Sequence, residues 1–237
     1  TTGSDGEPYP LLVVRPDGAI AYNVARMAMK SWDDEFGYEL IDADMQLKFP
    51  SPDPHLKRLL EDAVRFGNFV LASGRQSDFY VDVKSVFLVP EVIELMGDAL
   101  VEAYLQSGLN IGAVGGMTLG ADPLITAFVL QARRRGINIP GFIVRKEPKG
   151  HGTQKYIEGG DNLEEGTDVL LLEDVVTSGG SSLRTAEYCR KHNLNPVAVL
   201  TVVDRGEGGT EAIEGAGLKL MRLFNRDSLR EGLPENS

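Results

Sequence analysis

The sequence predicts an α/β fold: a mostly parallel twisted sheet flanked by helices, with a small N-terminal α/β appendage. Three observations carry this. From Ile111 onward, apolar runs of strand length alternate with segments of helical period, a beat that implies right-handed crossovers between parallel strands. The run Val169-Leu170-Leu171-Leu172 is continuously apolar, as suits a strand covered on both faces. The balance of 42% hydrophobic and 25% charged residues over 237 is that of a globular chain able to bury a core.

The elements follow in order. LLVV (residues 11–14) has strand character and stops at the turn signal Pro16-Asp17-Gly18. Val24, Met27 and Trp32 then keep a helical spacing, and a mixed apolar segment runs from Tyr38 to Phe49. Three prolines within Pro50-Ser51-Pro52-Asp53-Pro54 can continue neither a helix nor a central strand. A boundary belongs there, dividing an appendage (1–54) from a main domain (55–237). Leu56, Leu59, Leu60, Ala63 and Val64 resume helical spacing, and FVLASGRQSDFYVDVKSVF (69–87) reads as a hairpin around a Ser-Gly turn. Pro90 to Leu105 has the pattern of an amphipathic helix with proline in its first turn. IGAVGG (111–116) reads as a strand running into a glycine turn, and ADPLITAFVLQARRRG as a helix ending at Gly136. GFIVRK, VLLLEDVV and PVAVLTVVDR are strands; GGSSLRTAEYCRKHN and the short TEAIEGAG are helices. In such sheets ligands sit beyond the carboxyl ends of the strands, so the residues there matter most.

Charge and composition exclude several classes of function. A net charge of −11, from 35 acids and 24 bases, opposes general affinity for nucleic acid or an anionic membrane. No apolar stretch approaches the ~18–20 residues that cross a bilayer. The opening TTGSDGEPYP lacks the basic start and apolar core of a secretory signal. Cys189 is the one cysteine, which excludes an intrachain disulfide, and three histidines argue against a zinc cluster. Together these point to the cytoplasm.

The strongest motif is VLLLEDVVTSGGSSLRTAEYC (169–189). Glu173 and Asp174 stand at the end of a strand, and Thr177-Ser178-Gly179-Gly180-Ser181 leads into a helix. Small hydroxyl and glycine residues at a helix N-terminus expose backbone N–H groups and the positive dipole end, which cradle a phosphate. Carboxylates beside them accept hydrogen bonds from ribose hydroxyls. A merely capped helix, with Ser181 or Ser182 as N-cap, explains the serines and glycines but not the paired acids. Neither the Walker A pattern nor GxGxxG occurs at this loop. A second cluster, Arg145, Lys146, Lys149, His151 and Lys155, includes only one acid, Glu147. It is either a solvated loop or an anion site.

LLLEDVVTSGGS resembles the PRPP-binding motif of type I phosphoribosyltransferases. FVLASGRQSDFYVD, VGGMTLGADP and VRKEPKGHGTQKYIEG, with VVDRGEGG after them, occur in the order found in orotate phosphoribosyltransferases, and the resemblance covers residues 56–230. It implies a type I phosphoribosyltransferase-like fold with a small hood. It also implies the reaction of orotate with PRPP to give orotidine 5′-monophosphate and pyrophosphate, a step of UMP biosynthesis. On this resemblance PRPP is held by Glu173, Asp174, Val175, Val176, Thr177, Ser178, Gly179, Gly180 and Ser181. Backbone amides of Thr118 and Leu119 face the pyrophosphate. Some relatives carry lysine where this chain has Leu119, and many carry lysine where it has Ala72. Phe79, Tyr80 and Thr177 contact orotate, and Arg205 pairs with its carboxylate, a task that suits a planar guanidinium.

The basic cluster resembles the family's catalytic loop, in which Arg145, Lys146, Lys149 and His151 reach PRPP in the neighbouring subunit of a homodimer with shared active sites. Gly150, Gly152, Gly159 and Gly160 supply its hinges. Lys149, Arg145 and Asp174 are the expected catalytic residues. Mg²⁺ is the implied cofactor, carried by PRPP without direct side-chain ligation. His55 and His192 fall outside every motif and read as surface or packing residues. Two rivals remain: a transferase for uracil or a purine, and a PRPP-sensing regulator with a DNA-binding N-terminus. The first 54 residues hold ten acids to four bases, the wrong sign for DNA. The role of that segment does not follow from its residues.

Overall fold

The computed structural model describes residues 11–14, 37–40, 54–61, 63–70, 76–148 and 156–230. The chain divides into two compact units, Thr1–Pro50 and Ser51–Ser237. In the first, β1 (Leu11–Val14) and β2 (Gly37–Leu40) pair in parallel, with Leu11 opposite Gly37 and Val14 opposite Leu40. The expected helix around Val24, Met27 and Trp32 lies outside the described residues, as does the apolar stretch beyond Leu40.

In the second unit, α1 (Pro54–Glu61) carries the Leu56, Leu59 and Leu60 spacing but ends sooner than that spacing predicts. The Ala63 amide bonds the Leu60 carbonyl at 3.0 Å, closing a turn, and Val64 opens a strand. β3 (Val64–Val70) and β4 (Gln76–Val81) form the antiparallel hairpin, a sheet of its own, with a register shift between Phe66 and Phe69. Its Ser73-Gly74 turn and Ala72 lie outside the described residues. The last four residues expected in this hairpin are instead a short helix, α2 (Lys84–Phe87). Phe87 is fully buried, so core packing overrides the β-preference of Val86 and Phe87.

The main sheet has six strands in the order β10-β9-β8-β5-β6-β7. These are β5 (Ala113–Met117), β6 (Gly141–Val144), β7 (Ile157–Glu158), β8 (Asp168–Val176), β9 (Asn195–Asp204) and β10 (Lys219–Asn225). All neighbours run parallel except β6 and β7. α3 (Pro90–Gln106) leads into β5, the crossovers include α4 (Asp122–Arg134), α5 (Gly180–Lys191) and α6 (Gly209–Gly215), and α7 (Arg226–Arg230) follows β10. Gly136, at φ 78°, follows α4 as expected of a helix-ending glycine. No described helix is long and apolar enough to cross a membrane.

Two apolar clusters hold the layers together. Leu170 and Leu172 join Phe87, Met96, Leu100, Leu124 and Phe128 in one; Val169 and Leu171 join Phe142, Ala186, Cys189 and Ile213 in the other. The period-2 split of one continuous apolar run between two clusters is what a doubly covered strand requires. Cys189 is fully buried, and burial pushes its thiol up to about 12.

Gly115 and Gly116 correct the expected glycine turn, because both lie inside β5 and the turn begins at Thr118. A Cβ on Gly115 would enter the Phe142 ring, and one on Gly116 would collide with the Leu172 carbonyl and the Ala121 methyl. The glycines are there for close approach between layers rather than for reversal of the chain. β10 escaped the sequence reading because Lys219 and Arg222 break its apolar run, as befits an edge strand.

Candidate active site

The acid pair lies near the carboxyl end of β8, where the turn after β5 reaches it. Glu173 and Asp174 are 7% and 6% exposed, inside β8 rather than after it. Successive strand residues face opposite ways, and the two carboxylates find different partners. Ser182 Oγ donates to Glu173 Oε2 at 3.1 Å. Asp174 Oδ1 accepts the Val175 amide at 2.9 Å, and its Oδ2 forms an ion pair with the Lys84 ammonium. Burial, then the charge of Asp174, raises the Glu173 carboxyl to about 7, against the pull of the Ser181 and Ser182 hydroxyls.

This sets a stability prediction. A carboxyl raised from 4.5 to about 7 by folding stabilises the fold fully below pH 4.5, and that contribution is lost as pH rises through 7. Glu173→Gln keeps an acceptor and removes the charge. Its melting temperature should exceed that of the unsubstituted protein by on the order of 5 °C at pH 8, with the gain shrinking toward pH 4.5. Melts at several pH values check this; a gain independent of pH would refute it.

The phosphate-type loop follows directly. Gly179, at φ 78°, is the N-cap of α5 and provides no side-chain cap. Neither Ser181 nor Ser182 is the cap, and the Ser182 hydroxyl turns inward to Glu173 instead. A Cβ on Gly179 would press on Ile213 and on the Gly209 carbonyl, so the loop packs tightly against α6. Val176 and Gly179 are buried, Val175 and Thr177 half-buried, and Ser178, Gly180 and Ser181 exposed. The α5 N-terminus thus presents solvent-facing small residues, the arrangement that receives an anion.

The turn after β5 touches the acids. A Cβ on Gly120 would come within 2.7 Å of the Asp174 carboxylate, so that glycine lets the turn rest on the acid. Thr118 donates its hydroxyl to Asp122 Oδ2 at 2.8 Å and its amide to the Val144 carbonyl at 2.9 Å. The Thr118 amide is therefore engaged by the Val144 carbonyl rather than open to a ligand, and Leu119 beside it is 76% exposed. The Thr118–Leu119 peptide is cis.

Arg205 is buried after β9, its amide bonded to the Val176 carbonyl at 3.0 Å and its guanidinium paired with Glu207 at 2.7 Å. Asp204 beside it accepts from Thr210 (2.9 Å), the Gly206 amide (2.9 Å) and Arg222 (2.5 Å), organising the loop that carries Arg205. Arg145 pairs with Glu158 at 3.2 Å, and its amide bonds the Tyr156 carbonyl at 2.7 Å. Tyr156 in turn stacks on Tyr188 of α5, ring centroids 4.1 Å apart. Lys146 is exposed. Lys149, His151 and Lys155 lie outside the described residues. Phe79 and Tyr80 stand in β4 opposite Phe66 and Arg65; their side chains are outside the description. His55 contacts Glu91 at 2.8 Å, and the His192 ring contacts the Tyr188 carbonyl at 2.9 Å, as residues outside the site. The sequence reading missed Lys84, which lies outside its motifs, and gave no role to Asp122 and Asp204, although they stand within VGGMTLGADP and VVDRGEGG.

No family profile matches the chain. It is 42% identical over 163 residues to the orotate phosphoribosyltransferase of Pyrococcus horikoshii, covering 69% of this chain and 84% of that protein. It is 45% identical over 161 residues to the Aquifex aeolicus protein of the same name, covering 68% and 86%. Among solved structures, Mycobacterium tuberculosis orotate phosphoribosyltransferase in complex with PRPP superposes with a TM-score of 0.60 at 33% identity, covering 76% of this chain and 98% of that one.

Proposed function

The chain belongs to the orotate phosphoribosyltransferase family, and from that premise we propose how its residues divide the work of the transfer. The enzyme joins orotate to the anomeric carbon of PRPP, releasing pyrophosphate and forming orotidine 5′-monophosphate on the way to UMP. The observation that carries the reading is the contact of Gly120 with Asp174, which brings the turn after β5 onto the acid pair, itself bonded to Ser182 of α5.

The loop from Thr177 to Ser181 binds the 5′-phosphate, Asp174 and Glu173 accept the ribose hydroxyls, and the Leu119 backbone faces the diphosphate. Displacement at the anomeric carbon passes through an oxocarbenium-like state, which the Asp174 charge favours. Lys149 and Arg145 stabilise the departing pyrophosphate, with Lys146 and His151 beside them. Orotate is an anion near neutral pH, so no strong general base is needed. Phe79, Tyr80 and Thr177 hold its ring, and Arg205 exchanges Glu207 for its carboxylate.

The donor set fits a magnesium ion brought in on PRPP. Asp174 is engaged by Lys84 and Glu173 by Ser182. The phosphate oxygens of PRPP, hard donors that suit Mg²⁺, would hold the ion, while Asp174 and Glu173 accept the ribose hydroxyls. When bound, it neutralises diphosphate charge.

A homodimer with shared sites is supported by a groove of about 760 Å³ that includes Phe87, Leu88, Pro90, Leu130 and Asp122. Leu88 and Leu130 are 81% and 59% exposed there. A second copy seated on this apolar groove would adjoin Asp122 and the turn it braces. The setting is the cytoplasm, which suits a single free cysteine.

The test is pyrophosphate release from PRPP and Mg²⁺ with orotate, uracil, adenine and hypoxanthine. Release with orotate alone is expected. Release with uracil or a purine in its place would overturn the assignment of the base.

A further inference from the structure

We propose that Lys84 is a positioning residue for this transfer, holding the Asp174 carboxylate aimed at the ribose of PRPP. The inference rests on the reading that Asp174 contacts PRPP, and deepens it.

Lys84 opens α2, just after β4, and its backbone is anchored on both sides. Val83 is 1% exposed and Phe87 fully buried, while Ser85 donates to the Asp82 carbonyl at 2.7 Å. From that anchor the side chain, 61% exposed along its length, delivers its ammonium to a carboxylate whose side chain is only 9% exposed. Gly120 packs on the same carboxylate. Asp174 is thus held between a cation from one segment and the diphosphate-facing turn from another.

The electrostatics give this contact a purpose. Two adjacent buried carboxylates repel, and one of them tends to take up a proton. The charged groups around Lys84 are Asp174, Asp82 and Glu173, so its ammonium offsets the repulsion within the acid pair. Glu173, raised to about 7 by burial and then by the charge of Asp174, is the member that titrates, and the nearby cation favours its ionised form. The pair then accepts the ribose hydroxyls and faces the developing positive charge. Without Lys84, Glu173 holds its proton more tightly and Asp174 loses one of its restraints. A purely structural ion pair would affect stability and leave the pH dependence of catalysis unchanged.

The experiment uses the full chain and three variants: Lys84→Met, Lys84→Gln and Lys84→Arg. KM for PRPP and kcat are measured from pH 5.5 to 9, alongside thermal melts. Lys84→Met and Lys84→Gln should each raise KM for PRPP about tenfold near pH 6.5, with the acid limb of kcat/KM about one unit higher and the difference shrinking above pH 8. Lys84→Arg should keep the original limb. The proposal is overturned by an unmoved acid limb in the uncharged variants. It is equally overturned by a loss that is the same at every pH, which would reflect plain attraction for a polyanion or a weakened fold. Failure of the underlying reading looks different: the unsubstituted enzyme would then show no orotate-dependent use of PRPP.

Discussion

Asp174→Asn should lower kcat/KM for PRPP about 10²–10³-fold, the usual loss for one preorganised catalytic charge. Asparagine keeps the shape that Gly120 rests on, but it removes the charge proposed to face the reacting sugar and leaves Lys84 without its counter-ion. Lys149→Ala should cost a similar factor for the opposite reason, removing the cation proposed to stabilise the departing pyrophosphate. If the two residues act in one site across a dimer, mixing the inactive variants rebuilds one intact site in each hybrid. Random exchange then restores roughly a quarter of the original activity, since half the dimers are hybrids with one working site each. Activity after denaturation and joint refolding measures this. No recovery despite verified hybrid formation would place Asp174 and Lys149 on the same subunit's site.

Gly116→Ala should be the most damaging small substitution for the fold itself. The added methyl would overlap the Leu172 carbonyl of β8 and the Ala121 methyl ahead of α4. Neither is the flexible tip of a side chain, so relief requires separating two paired central strands or lifting a helix. Overpacking of this kind costs about 3 kcal/mol, or roughly 6–12 °C in melting temperature for a chain of this size. Differential scanning calorimetry checks it, and a midpoint within ~2 °C of the parent would show that β5 and β8 yield more easily.

These positions illustrate what the residues disclose by themselves. VLLLEDVV declares a doubly covered strand because burial on both faces demands an unbroken apolar run. The long helices declare themselves through period and through Pro90, Asp122 with Pro123, and Gly136. Gly115 and Gly116 mislead, because a glycine that admits a neighbouring layer looks the same as one that turns the chain. Lys84-Ser85-Val86-Phe87 misleads because β-preference is weak beside the pull of a buried phenylalanine. In the site, the acid pair and the small-residue loop are legible as chemistry, since types and spacing carry the message. Lys84 is not, being a solitary lysine whose partner lies far along the chain and meets it only through the fold. The same holds for the Thr118 amide, whose engagement with Val144 depends on strand pairing.

The burial of Cys189 has a practical corollary. A thiol that is shielded and held protonated reacts slowly with maleimides and iodoacetamides. Because it is the chain's sole cysteine, a sulfhydryl engineered at an exposed site such as Lys146 or Ser178 would be labelled almost alone. The native sequence is thus a ready background for attaching one fluorophore or nitroxide, without first removing a reactive competitor.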